Sequence, residues 1–131
     1  MSAGAPALAL GYAPIDALHA EFETCVAAVD AASSSALPAA LAALRAHLTR
    51  HFGDEERWMR ESEFPPLHCH KREHDKVLEV FAEVERRFAA GDEGIVRRLA
   101  AELPQWFALH ATTMDTAVVA WLGANAAIAS P

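Results

Sequence analysis

The stretch HCHKREHDKVLEVFAEVERRFA, residues 68–89, carries two patterns at once. His70, His74, Val77, Phe81, Val84 and Phe88 recur at intervals of three and four, which lines up one face of an α-helix. Breakers bound the pattern, with Phe64-Pro65-Pro66 before it and Gly91-Asp92-Glu93-Gly94 after it. The spacing therefore predicts a helix over Leu67–Ala89 with an apolar stripe for a core to cover. Its first two core positions are histidines. Four residues apart, they stack with a rise of about 6 Å, so both imidazoles can reach one ion. Cys69 points about 100° away from His70 and is not expected to join it. His68 is expected to face solvent.

The same periodicity yields three further helices. The first spans about Pro14 to Ala32, with Ile15, Leu18, Phe22, Val26 and Val29 on its stripe and His19 beside Leu18. Ser33-Ser34-Ser35 ends it, and Pro38 in the next first turn suits a helix start. The second spans about Leu37 to Glu61 and turns Leu41, Leu44, Leu48, His51, Glu55 and Met59 inward. Here a histidine and a carboxylate continue a leucine stripe. Buried without partners they would cost on the order of several kcal/mol, so they must be paired or bound. The fourth begins near Glu93 and brings Leu99, Leu103, Trp106 and His110 inward. Pro104 lies within it, and a kink or break is expected there.

Short connections between these segments predict antiparallel neighbours, hence an all-α, up-down-up-down four-helix bundle. The 131 residues form one domain with no internal repeat, residues 1–13 an N-terminal arm and 116–131 a tail or short helix. Alanine-rich composition and the lack of Asn-Gly or Asp-Gly hairpin signals agree with an all-helical chain. The formal net charge of −7 argues against nucleic acid or an anionic membrane as partner. No basic leader precedes the short apolar run at the start, and no apolar stretch approaches the roughly 18 residues of a membrane span. Two cysteines are too few for a disulfide framework, and reduced thiols in a cytoplasmic setting are expected.

In such a bundle the inward polar residues converge. One histidine on a stripe is ordinary packing, but His19, His51, Glu55, His70, His74 and His110 come from all four helices. Asp115 follows His110 by five, which rotates it about 140° on an ideal helix. Either the helix loosens after Ala111, helped by Thr112 and Thr113 competing for backbone bonds, or Asp115 stands outside the set. Five imidazoles with such carboxylates exceed what one tetrahedral zinc uses and suit two ions. Nitrogen-rich mixed donors of this kind suit iron.

The segments IDALH (15–19), HFGDEERWM (51–59), FPPLHCHKREH (64–74) and WFALHATTMD (106–115) together resemble those of the hemerythrin family, in its single-domain bacterial form. The likeness runs over nearly the whole chain, and the combined His-x3-Glu, His-x3-His and His-x4-Asp spacings are specific. The resemblance implies that His70, His74 and His110 bind one iron, and His19 and His51 a second. It implies that Glu55 and Asp115 bridge the pair (Fe2+/Fe3+) together with an oxo or hydroxo group. The two-histidine iron then keeps an open, five-coordinate position where dioxygen binds reversibly as a hydroperoxide, for transport, storage or sensing. Phe22, Phe52, Trp106, Phe107 and Ala111 match the family's oxygen-pocket positions. Relatives often carry leucine and isoleucine where this chain has Phe22, Phe107 and Ala111, and often tyrosine where it has His47. His47 lies one turn before His51 and is expected to be its hydrogen-bond partner rather than a ligand.

An alternative on the same site is a diiron oxidase, peroxidase or nitric-oxide-handling enzyme. Ferritin-like enzymes use Glu-x-x-His pairs, and none occurs in this chain. Oxygen binding without turnover is therefore the leading expectation. Dioxygen is the expected ligand, and a separate oxygen-consuming enzyme a possible recipient.

Overall fold

The computed structural model describes residues 9–125, and residues 1–8 and 126–131 of the arm and tail lie outside the described residues. Four long helices run α1 (Ala13–Ala31), α2 (Leu37–Glu61), α3 (Leu67–Ala89) and α4 (Glu93–His110). A π-helical turn, Ala111–Asp115, follows α4 without interruption and leads into α5 (Thr116–Ala124). Around the bundle, α1 packs on α2 and α4, and α3 packs on α2 and α4. Cross-links fix the antiparallel sense. Arg45 near the start of α2 pairs with Glu85 near the end of α3, while Glu56 near the end of α2 meets His74 near the start of α3. The all-α antiparallel bundle expected from the stripes is the observed one. Among the described residues no helix is long and apolar enough to cross a membrane.

The helix ends follow local chemistry. Pro14 and Pro38 sit in first turns, where the missing N–H costs nothing. Asp92 caps α4 by accepting the Ile95 N–H at 3.1 Å. Both α2 and α3 end in the paired 6→1 and 5→2 bonds of a Schellman turn. After α3 these are Asp92 N–H to Arg87 O and Gly91 N–H to Phe88 O, with Gly91 at φ 105°. After α2 they are Phe64 N–H to Met59 O and Glu63 N–H to Arg60 O, with Glu63 itself at φ 57°. Phe64 and Met59 then pack together, the apolar contact that accompanies this turn. Arg97 of α4 reaches across to the carbonyls of Val29 (3.1 Å) and Ala32 (2.8 Å) at the end of α1.

The helix does not break at Pro104. Pro104 itself is exposed. Its neighbours Leu103 and Phe107 are buried and hold the helix to the core.

Two apolar clusters fill the bundle, and they do not touch. The larger, around Phe22, Leu44, Leu48, Phe81, Val96 and Phe107, occupies the end where α1 meets α2 and α3 meets α4. The smaller joins Ile15, Met59, Phe64, Val118 and Leu122 at the other end. The stretch from Thr116, open between tail and short helix from sequence, is thus the helix α5 that closes this end. Trp121 of α5 donates to the Ser62 carbonyl at 3.0 Å, tying it to the α2–α3 turn. Between the clusters lies a layer that is polar and fully buried.

Candidate metal centre

The polar layer consists of His19 from α1, His51 and Glu55 from α2, His70 and His74 from α3, and His110 and Asp115 around the π turn. None is more than 3% exposed, so each must find its partner inside the protein.

The π turn is what admits Asp115. Its i→i+5 bonding adds a residue to the turn, returning a side chain five positions on to the same face as His110. The Thr116 N–H donates to the Ala111 carbonyl, and the Thr116 hydroxyl reaches that same carbonyl at 3.1 Å. Thr112 and Thr113 donate their hydroxyls back to Ala108 O (2.8 Å) and Leu109 O (2.6 Å). The threonines thus supply the backbone with alternatives to regular helix bonding, as their sequence position suggests. Asp115 ends with no exposure, 3.0 Å from His70 Nε2 and 3.2 Å from His110 Nε2 through Oδ1. The periodicity argument left its place open, and the loosened turn decides it.

Each carboxylate divides its oxygens between two groups of imidazoles. Glu55 Oε1 lies 3.3 Å from His74 Nε2 and 3.7 Å from His70 Nε2, while its Oε2 lies 3.0 Å from His51 Nε2 and 3.8 Å from His19 Nε2. Asp115 turns Oδ1 to His70 and His110 and Oδ2 to His19, at 2.9 Å. Two donor sets result, each with ligand-type atoms within 4.8 Å of one another. One comprises Glu55, His70, His74, His110 and Asp115, the other His19, His51, Glu55 and Asp115.

Hydrogen bonding within the protein does not complete this arrangement. Glu55 Oε1, His74 Nε2 and Asp115 Oδ1 are buried yet satisfy no hydrogen bond. The Nε2 atoms of His70 and His110 face each other at 3.0 Å, so at least one must carry a proton. Converging lone pairs on nitrogen and oxygen, buried and short of donors, fit bound cations.

Protons take up that role where no cation does. Burial alone would depress His70, but the carboxylates of Asp115 and Glu55, 3.0 and 3.7 Å from its Nε2, raise it to about 9. His74 is raised against its burial as well, by Glu55 and then Glu56. Burial works to raise Glu55, yet the surrounding histidines hold it well below the usual carboxylate range. His110 is pushed down, chiefly by burial.

The family model for the hemerythrin HHE cation binding domain matches residues 10–122. The chain belongs to the hemerythrin family. A bacteriohemerythrin of Ralstonia nicotianae is 50% identical over 116 residues, 88% of this chain and 85% of that one. Bacteriohemerythrins of Aquifex aeolicus and Methylococcus capsulatus are 36% and 29% identical, over 58% and 57% of this chain and 60% and 57% of theirs. No solved structure gives a significant match.

Around this hemerythrin-type layer, the residues expected to form one pocket divide between its two sides. Phe22 and Phe107 stack on each other with centroids 4.0 Å apart. Phe107 meets His19 edge-on at 5.0 Å and His51 at 5.4 Å, so this pair covers the two-histidine set. Phe52 instead stacks on His74, 4.0 Å away and within 5° of parallel. Trp106 stacks on His110 at 4.7 Å and 16°, so both cover the three-histidine set. Ala111 is fully buried beside the larger cluster.

His47 is buried beside the layer, its Nε2 3.0 Å from His51 Nδ1. Burial, then the nearby His51, lower it to about 4, so it is neutral at pH 7. Its other nitrogen lies 3.4 Å from Glu21, which also pairs with Arg50. Glu21 was not singled out from sequence, and neither was Glu56, which stands 2.9 Å from His74 Nδ1. His68 and Cys69 are exposed, as expected.

Proposed function

We propose that this chain binds dioxygen reversibly at a non-haem diiron centre, with His70, His74 and His110 on one iron and His19 and His51 on the other. Glu55 and Asp115 would serve both irons, each turning one carboxylate oxygen to each imidazole group. The observation that carries the reading is the division of both carboxylates, one oxygen to each imidazole group. The names of the relatives support the oxygen-binding role. Two irons held there would supply the two-electron redox chemistry that reversible dioxygen binding needs.

The protein's own residues do the rest. Three histidines against two leave one side with fewer protein donors, and that is the side for an exogenous ligand. Phe22 and Phe107 exclude water there, which keeps protons from diverting a reversible reaction. His51, its Nε2 turned to the centre, carries its proton on Nδ1 and donates it to His47 Nε2. Glu56 similarly accepts the Nδ1 proton of His74. We place the protein in the cytosol, where its two free thiols, Cys25 and Cys69, stay reduced. It then hands oxygen to an oxygen-consuming enzyme or reports it.

The test is metal analysis followed by an optical cycle. Protein from iron-sufficient cells should hold two irons per chain, and an oxygen-dependent absorption band should appear on aeration and vanish on removal of oxygen. One zinc per chain with no iron would refute the diiron assignment, and irreversible conversion on aeration would favour the oxidase alternative.

A further inference from the structure

We infer that the groove between α1 and α4 is the entry route for dioxygen, and that Phe22 is its gate. The inference deepens the oxygen-binding reading and rests on it. A groove of about 490 Å³ runs between these helices, from Asp30 and Ala100 at one end to Phe22 and Ala108 at the other. It therefore follows the antiparallel pair for about 12 Å toward the polar layer. Its floor includes the buried Phe22, Val26 and Ala100, and Pro104 and Ala108 form an exposed wall. Small side chains keep it open along α4.

Phe22 belongs to the groove and to the metal layer at once. It lines the groove, faces His51 edge-on at 6.5 Å, and stacks on Phe107. The Phe22–Phe107 pair is thus the wall between an open surface depression and the two-histidine side. A second groove, about 390 Å³ between α3 and α4, ends on Trp106. Trp106 covers His110, on the side already served by three histidines, so that groove leads to no open position. Glu23 and Asp30 also line the groove and disfavour anions, while its apolar floor at Phe22, Val26 and Ala100 favours small uncharged molecules.

A gate on a route alters rates of entry and exit together and leaves the equilibrium constant alone. Ala108 is exposed, so Ala108→Trp fills the groove without disturbing the core. In the iron-loaded protein this variant should slow dioxygen association and dissociation alike, by about tenfold, the response to about 1.4 kcal/mol of added barrier. Its dioxygen affinity should stay unchanged, and Phe22→Leu should speed both rates. Val80→Trp, in the α3–α4 groove, should change neither. Xenon-pressurised crystals supply a reading independent of iron, with xenon expected beside Phe22 in the natural protein and displaced in Ala108→Trp. Unchanged rates in Ala108→Trp, an altered affinity there, slowing by Val80→Trp instead, or no xenon beside Phe22 would each overturn the route. The xenon result holds whether or not the chain cycles dioxygen, which separates failure of the route from failure of the oxygen-binding reading.

Discussion

Replacing His47 by alanine isolates one hydrogen bond on one side of the centre. With His51 Nε2 directed at the centre, its Nδ1 proton has His47 Nε2 as acceptor at 3.0 Å. His47 is neutral and buried, and its own Nδ1–H points toward Glu21, 3.4 Å off. That distance is long for a hydrogen bond, so Glu21 acts on His47 mainly as a nearby charge. Alanine leaves the His51 N–H buried without a partner, which costs about 1–3 kcal/mol. The tautomer and ring angle of His51 are also released, and loss of such outer partners weakens metal sites by about 10–100-fold. The two figures agree, since 10–100-fold is about 1.4–2.7 kcal/mol.

The loss should be one-sided. His47 touches neither His70, His74 nor His110, so chelator titration of the iron-loaded variant should become biphasic. One iron should leave about 10–100-fold more readily, and the other within about threefold of its natural affinity. His47→Gln, whose amide oxygen can accept from His51, should restore most of the difference. His51→Ala is the reference, removing a ligand outright and emptying that position. Equal loosening of both irons by His47→Ala, or none, would refute the tautomer argument. Iron lost with His47→Ala but kept with His51→Ala would overturn the ligand registry.

Glu55→Gln removes the charge that serves both donor sets, so iron content should fall at both positions and the melting temperature with it; two retained irons would refute the bridging role. Metal loading should release protons, because His70, raised to about 9, must lose its proton to bind. Apparent affinity at the three-histidine position should therefore rise with pH up to about 9, read by chelator competition at several pH values. For the metal-free chain the sign reverses: the stability contributed by His70 is complete below about 6.5 and is lost as pH rises through about 9, measurable by denaturant unfolding. Gly91→Ala forces a Cβ onto φ 105° with no atom within 4 Å of it, so backbone strain alone should cost about 1 kcal/mol in urea unfolding.

What could be read from the sequence was whatever repeats along a single helix. Stripes and breakers place Leu44, Phe81 or His74 in the interior because a helix face is a property of spacing alone. They place His19, His51, Glu55, His70, His74 and His110 inward for the same reason. Contacts that depend on how two helices meet escape that logic. Glu56 lies about 100° round from Glu55 and sits off the inward stripe. It reaches His74 only because α2 and α3 cross at that height. Glu21 is an exposed-face carboxylate on α1 whose reach to His47 belongs to the α1–α2 packing. Trp106 was legible as an inward residue and Phe52 only through the family resemblance, and which side of the layer each covers is a matter of height and rotation between helices. At Pro104 the kink-or-break expectation meets a helix that continues without a break, where buried neighbours hold the chain in register.

Asp115 lies between these cases and shows how local sequence can serve a distant requirement. A regular helix after His110 would carry Asp115 about 140° out of line and leave the polar layer with a single carboxylate. One glutamate between five imidazoles could face both groups, but its single negative charge would neutralise less of two cations than a pair does. The π turn supplies the second carboxylate without a fifth bundle helix or a longer loop. Its cost in regular helix bonding is met locally by the hydroxyls of Thr112, Thr113 and Thr116. It is also stabilised from beyond, because α5 continues directly from Asp115 and buries Val118 and Leu122 in the small apolar cluster. The place of the second carboxylate therefore depends on a helix that begins one residue after it. Loosening the Val118 contact should consequently weaken the site even though Val118 touches no ligand. Val118→Ala should lower iron affinity along with stability, and iron affinity untouched by a destabilised α5 would show that the turn stands on its threonines alone.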